Sequence, residues 1–355
     1  MANNQLVELF LHLVQIDSPT GEEDAICDYI RNFLTELGYT HHTDSYGNII
    51  VNVSGQGDPL FLAAHVDTVE PGRGVKPVID GDIIRSDGTT ILGADNKAGV
   101  AIILDILRDI AQRKNRPALD VVFTRSEESG NYGAINLDPS RVTAKKGYSF
   151  DNPNPVGTII SASPFYNRFD ITITGRSAHA SKPETGIHVL PILTECLTQL
   201  SLGRVSPTAL VNIGAMQAGH VRNTIMGQLT LHGEVRSMYE DELNKYTNQI
   251  REVFLSVCKK NKAEVQIDVV TENGGYIYEE SDIDLQCVVS AMKRLQIDPV
   301  IKQDWGVADS NIFAEHGIKV INLGDGCEFT HTTREQVRIS EVELLRSLIM
   351  ELISS

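Results

Sequence analysis

Apolar residues recur at two different periods along this chain, and the change of period divides it. Near the start, Leu6, Leu9, Phe10 and Leu13 repeat at the spacing of one helix face. His12 and Gln15 interrupt that stretch and no basic region precedes it, so it reads as an amphipathic helix, not a signal peptide or membrane span. A second helix is predicted after Pro19, with Thr20 and Glu23 at capping-box spacing and Gly38 as its stop. Asn48 to Val53 and Leu60 to Ala64 read as strands, and Lys97 to Gln112 as a helix with a strongly apolar face. Leu119 to Thr124 is a nearly continuous apolar strand, and Tyr148 to Phe150 a further short one. Strands alternating with helices predict an α/β sandwich around a largely buried sheet.

The texture changes near Ser163-Pro164. In residues 166–174, Phe169, Ile171 and Ile173 alternate with Arg168, Asp170 and Thr172, and Met226 to Arg236 contains a similar stretch. Such strands have one dry and one wet face, as in a small antiparallel sheet. Helical patterns lie at 187–203 and 239–260, and Glu264 to Val270 gives a last strand before Glu272-Asn273-Gly274-Gly275 breaks the pattern. The α/β texture then resumes with helix 282–296, a short helix at 309–316, strand Lys319 to Leu323 and a closing helix at 339–353. The prediction is an α+β domain of residues 165–270 inserted into a discontinuous α/β domain of residues 1–164 and 271–355.

Length and composition agree with this division. A chain of 355 residues suits two domains or one with an insertion, and 41% hydrophobic residues supply a sizeable core. Lys plus Arg total 31 against 47 Asp plus Glu, a formal charge of −16, which argues against nucleic acid or an anionic membrane as partner. The excess suits a protein that holds cations with carboxylates, although an acidic surface accounts for it too. Cys27, Cys196, Cys258, Cys287 and Cys327 show no CxxC and no disulfide framework. A reducing compartment, the cytoplasm, is therefore expected.

Candidate chemistry begins at FLAAHVDTVEP, residues 61–71, where an apolar run ends in His-x-Asp. Strand alternation places His65 and Asp67 on the same side. On this stretch alone an ordinary loop hydrogen bond explains the pair as well as a ligand role does. Four further stretches join it: GADNKAG (93–99), RSEESG (125–130), SFDNP (149–153) and EFTHTT (328–333). Each sets a carboxylate or imidazole just after an apolar strand or in a Gly-rich turn, and in a mostly parallel sheet such strand ends gather on one edge. His65, Asp95, Glu128, Asp151 and His331 could converge there. Two imidazoles and three carboxylates without a thiolate suit zinc, cobalt or manganese. With one carboxylate shared, the set offers three ligands to each of two ions about 3.5 Å apart. Glu127 and Glu128, adjacent on an extended chain, point in different directions, so one can ligate while the other acts as general base. An arbitrary Glu-Glu pair is more often a solvated acidic turn, but the position directly after LDVVFTRS counts against that here.

The motifs AAHVDT, SDGTTILGADNKAGVA, EESG, SFDNP, GRSAHAS, AGHVRNTI, DSNIF and FTHTT, in this order from residue 61 to 333, resemble the M20 family of dinuclear-zinc peptidases and acylases, in its peptidase-T-like branch. The resemblance implies a zinc-exopeptidase-like three-layer α/β/α catalytic domain with an inserted α+β lid that dimerises. It implies two Zn2+, with Co2+ or Mn2+ as substitutes: His65 and Asp151 on one, Glu128 and His331 on the other, Asp95 bridging. Asp67 would orient the His65 ring, and Glu127 would take a proton from the attacking water and pass it to the leaving amine. A cis peptide bond would follow Asp95. His179, on the lid, would donate to the oxyanion, from the partner subunit in dimeric members. Asn223 and Arg236 lie where relatives contact substrate, Arg236 as a carboxylate clamp or in a surface salt bridge, and His220 is a candidate contact beside Asn223.

In WGVADSNIF, Gly306 keeps one glycine where many relatives have Gly-Gly-x-Asp-Ala, and Val307 replaces the next. Asp151 as the third carboxylate favours the aminopeptidase side of the family over the carboxypeptidase and acylase side. The implied activity is an aminopeptidase acting on tripeptides or similar small peptides, working as a homodimer through the lid. The alternative is an amidohydrolase of the same fold: an N-acyl-amino-acid deacylase, carboxypeptidase or dipeptidase. A metal-holding protein without catalysis is disfavoured because Glu127 is present. The remaining histidines, His12, His41, His42, His188, His232 and His316, sit in no ligand pattern.

Overall fold

In a computed structural model that describes residues 4–354, the apolar runs at the two ends of the chain pair into one sheet. The chain falls into two units, residues 1–161 with 278–355, and Ala162–Ile277. The smaller unit is wider at both ends than the 165–270 segment expected from pattern.

In the larger unit the strand order is His41–Thr43, Ile49–Val53, Pro117–Thr124, Gln56–His65, Lys146–Ser149, Lys319–Leu323, Thr158–Ser163, with Val300–Gln303 against the last. The four strands from Pro117–Thr124 to Lys319–Leu323 are mutually parallel, and their flanking neighbours run antiparallel. Their register matters for the site. His65 lies beside Thr124, Ala63 beside Ser149, and Ser149 beside Asn322, so the four strands end together. The segments carrying His-x-Asp, Glu-Glu and Phe-Asp-Asn therefore leave the same edge.

Both faces of this sheet are dry. Leu62 and Ala64 belong to the main core cluster, with residues of the helices Asn4–Val14, Ala94–Ile110 and Ile339–Ile353. Phe61 and Ala63, the alternate positions, join Val122, Ile312, Phe313 and Val320 on the other face. There the Phe61 and Phe313 rings meet edge to face with centroids 4.8 Å apart. Period-two alternation with apolar residues on both faces is what a strand covered by helices on each side requires.

A second sheet of Cys327–Glu328, Gln336–Arg338, Ile83–Ser86 and Pro77–Asp80 escapes sequence reading. Its strands are two to four residues long and carry no apolar run. It nevertheless forms the hairpin that carries His331, since Cys327 pairs with Val337 and Val337 with Ile84.

The helix expected after Pro19 is present as Asp24–Glu36 and stops before Gly38, whose φ is +82°. Its expected capping box is absent: Glu23 caps the helix without a side-chain bond. The Thr20 hydroxyl instead donates to Asp67 at 2.7 Å, and Glu23 accepts from Arg125 and Ser126. Tertiary partners around the site outcompete the local cap. The helix predicted from Lys97 starts earlier, at Ala94, with non-helical backbone at Asp95 and Asn96.

The smaller unit has an antiparallel sheet ordered Gly203–Ser206, Ala209–Ala218, Gln228–Ser237, Phe165–Thr174, Glu264–Asn273. Phe169, Ile171 and Ile173 are buried in a core with residues of the helices Val189–Leu197 and Glu240–Lys260, as their alternation predicts. The strand Ala209–Ala218 has no counterpart in the sequence pattern; half of its residues are exposed, so it lacks a clean alternation. All five cysteines are free thiols. No helix among the described residues is long and apolar enough to cross a membrane.

Gly147 sits in the Lys146–Ser149 strand where a β-carbon would fall 1.8 Å from the Phe61 carbonyl oxygen. Gly147→Ala should force those parallel strands apart and destabilise the larger unit by about 2–3 kcal/mol or more. Thermal or urea unfolding measures this, and an unchanged midpoint would contradict it.

Candidate active site

Five sequence-predicted ligands converge at the strand ends. His65, the last residue of its strand, has a ring almost fully buried. Its Nδ1 lies 3.0 Å from the Asp67 carbonyl oxygen and 3.4 Å from the Asp67 carboxylate. Its Nε2 faces Asp95 Oδ1 at 3.1 Å and Asp151 Oδ1 at 3.8 Å. On the far side of Asp95, Oδ2 lies 3.6 Å from His331 Nε2, which also approaches Glu128 Oε1 at 3.0 Å. Asp95 thus turns one oxygen toward each imidazole. Donor atoms of His65, Asp95 and Asp151 gather within 4.8 Å of one another, as do those of Asp95, Glu128 and His331, and those of His65, Glu127 and Glu128.

Hydrogen bonds from elsewhere hold these side chains in place. Asp67, fully buried, accepts from the Thr20 hydroxyl and from the Glu127 and Glu128 backbone N–H groups at 2.9 and 3.2 Å. One carboxylate therefore fixes the Glu-Glu turn as well as the His65 ring. Asp95 follows left-handed Gly93, and the Asp95–Asn96 peptide is cis, as expected. The loop is held by Glu335, whose carboxylate accepts the N–H groups of Leu92, Gly93 and Asp95 at 2.8, 2.7 and 3.0 Å. Asp151 is clamped reciprocally by Asn322, which accepts from its N–H at 3.0 Å and donates to its carbonyl at 2.7 Å. His331 adopts φ +61° at the turn of its hairpin, which aims its half-exposed ring inward.

The electrostatics follow from burial and crowding. Burial raises the Glu127 carboxyl well above the usual range and the Asp151 charge adds to this. Burial likewise raises Asp151, with Asp95 and Glu128 contributing and His65 opposing. Burial opposes ionisation of Asp95 as well, but hydrogen bonds with His331 and His65 outweigh it and hold its carboxyl well below the usual range. Asp95 and Glu128 push His331 up to about 10. Carboxylates here outnumber the imidazoles that neutralise them. Glu128 Oε1 is buried without a well-aligned hydrogen bond. A hard or borderline divalent cation fits this donor set, because it would satisfy that oxygen and reverse the repulsion.

The model of peptidase family M20/M25/M40 matches residues 61–355. The chain belongs to this family. The structure of aminopeptidase PepT from Bacillus cereus ATCC 10987 is 31% identical in sequence, with a TM-score of 0.94 and full coverage of both chains. A Staphylococcus aureus tripeptidase structure is 30% identical with a TM-score of 0.96, covering 99% of this chain and 98% of that one. The uncharacterized protein YqjE of Bacillus subtilis is 32% identical over 98% of this chain and 97% of its own length. As an M20 member the chain is a metal-dependent peptidase.

The other predicted residues of this M20 chain, His179, His220, Asn223 and Arg236, belong to the smaller unit. His179, exposed, pairs with Thr224, and its Nδ1 accepts from the Ser181 N–H at 3.1 Å. Ala180 donates to the Asn223 carbonyl at 2.9 Å, so Asn223 borders the same short ladder. His220 lines a cavity of about 640 Å³ with Ser177, Arg222 and Met226. Arg236 is engaged by Glu234 at 2.9 Å and lies over the Tyr166 ring. Sequence reading missed Thr20, Glu335, Asn322, Asn131 and Asp309. DSNIF is a recognisable motif, but nothing local in the sequence assigns its Asp a task.

Divalent metal should raise the thermal midpoint of the wild-type protein by several degrees over the chelator-treated protein, since binding to the folded state alone stabilises it. Glu128→Ala should lose most of that rise and part of the bound metal, read by calorimetry and elemental analysis. Full wild-type stoichiometry in Glu128→Ala would remove it from the donor set.

Proposed function

We propose that this M20 peptidase is an aminopeptidase of short peptides, tripeptides among them, working with two divalent ions, zinc by the chemistry of the donors. The observation that carries the two-ion reading is Asp95, with one oxygen toward His65 and the other toward His331. His65 and Asp151 would hold one ion, Glu128 and His331 the other, with Asp95 shared. Held by those residues, such ions would supply Lewis-acid polarisation of the scissile carbonyl and would acidify water near neutral pH.

Glu127 takes the proton from the attacking water and returns it to the leaving amine. Burial raises its carboxyl above the usual range, the direction that makes a carboxylate a stronger base. Asp67 holds the His65 ring and the Glu127 N–H together, so donor and base keep a common frame. His179 is assigned to the oxyanion, and Asn223 and His220 to polar groups of the peptide. Arg236, engaged by Glu234, stays outside the assignment. A homodimer through the smaller unit belongs to the same reading, and exposed Met216 and Val221 there offer apolar surface for it. The choice of aminopeptidase over deacylase or carboxypeptidase rests on end-to-end likeness to the PepT aminopeptidase and the tripeptidase.

Free and N-acetylated tripeptides, with products read from both termini, test the substrate. Release of the free N-terminal residue is expected. Cleavage of blocked peptides with no action on free ones would replace this reading by the deacylase one. Glu127→Gln should fold and keep its metal but lose at least about 10²-fold in rate; wild-type turnover would show the base to be misassigned.

A further inference from the structure

A glutamate that shuttles protons must present a particular oxygen in a particular direction, yet its terminal torsion is broad and two-fold. Something has to hold it. Glu127 Oε1 accepts a hydrogen bond from the Asn131 side-chain amide at 2.9 Å. The same nitrogen donates to Asp309 Oδ1 at 3.1 Å. The second Asp309 oxygen accepts from the Thr124 hydroxyl at 2.5 Å. Thr124, Asp309 and Asn131 are buried. None of the three belongs to a cluster that could hold metal, while Glu127 at the end of the chain does.

The residue types suit this arrangement. Both neighbours of the Asn131 amide are carboxylates that only accept when ionised, so its NH2, with two hydrogens, is the group that serves both. That requirement also fixes which way the amide points. Asn131 sits at φ +59°, and its N–H donates to the Glu127 carbonyl at 2.8 Å. Asn is among the few residues that adopt this left-handed conformation readily while carrying a polar side chain. The backbone of the turn and the side chain of Asn131 thus both return to Glu127. Asp309 opens the helix Asp309–Glu315 and Thr124 ends the strand Pro117–Thr124, so the anchor is tied to two regular elements.

We propose that Asn131, held by Asp309 and Thr124, is a positioning residue that sets the orientation of the Glu127 carboxylate, leaving Oε2 to exchange the proton. This rests on Glu127 being the general base. It adds that the turnover of the enzyme depends on three residues outside the groups that could hold metal.

The test is steady-state and single-turnover kinetics of the metal-loaded enzyme on a free tripeptide, with metal content measured in each variant. Asn131→Gly deletes the amide and keeps a residue at ease at φ +59°. Asp309→Leu keeps the approximate size but removes both acceptor oxygens, including the one that fixes the amide. Each should lower kcat by about 10-fold to 100-fold, the scale of a small misplacement of a reacting group, with KM within about 2-fold and metal retained. In a Glu127→Gln background, Asn131→Gly should change the residual single-turnover rate by less than about 2-fold, because residues acting through one group are not additive. Unchanged kcat in Asn131→Gly, loss of metal from both variants, or a full additive loss in the Glu127→Gln background would each overturn the positioning role while leaving the base intact. Wild-type turnover by Glu127→Gln would instead remove the base itself, and this proposal with it.

Discussion

Negative charges that must stay close together without water are the constraint on which this molecule depends. Asp67, Asp95, Asp309, Asp325 and Glu335 are buried, and Glu127, Glu128 and Asp151 partly so, all in the larger unit. An unpaired buried carboxylate is costly, and a group of them more so. Each is offset by a specific partner: an imidazole, a hydroxyl, a backbone N–H or an amide. The donors that face one another across Asp95 suit a divalent cation. That is why the centre calls for metal, and why burial, with neighbouring carboxylates, drives the pKa values of Glu127, Asp151 and Asp325 upward.

The carboxylates divide by what they hold. Asp95, Asp151 and Glu128 turn toward the imidazoles. Asp67, Glu335 and Asp309 turn toward loops. Asp67 gathers the N–H groups of the Glu-Glu turn, Glu335 those of the segment leading into Asp95, and Asp309 the amide that reaches Glu127. A carboxylate accepting several backbone N–H bonds organises a loop as a helix terminus does, with more freedom of placement. The reacting groups sit on connecting segments, but those segments are pinned to the ends of strands whose register is set by helices on both faces.

Much of this was legible in the chain itself. The alternating stretch at 166–174, the closing helix and the Lys319–Leu323 strand occur where their patterns lie, because burial on one face or two imposes a period that side chains must follow. His65, Asp95, Glu128, Asp151 and His331 could be picked out because each follows an apolar run or a glycine turn, and parallel strands end at one edge. The hairpin strands beside His331 left no such trace, being short and only partly buried. Thr20 and Glu23 misled, since a capping box is a local option and Asp67, Arg125 and Ser126 offered buried partners instead.

Sequence alone therefore determined the α/β class and put forward the insertion and the five candidate donors, since these depend on residue type and on spacing along the chain. Only the tertiary structure decided which carboxylates face imidazoles and which hold backbone. It also decided that Asn131 and Asp309 stand behind Glu127. The reason is physical: a hydrogen bond between residues 178 positions apart leaves no periodic mark on either segment, and exists only once parallel strands have brought their ends together.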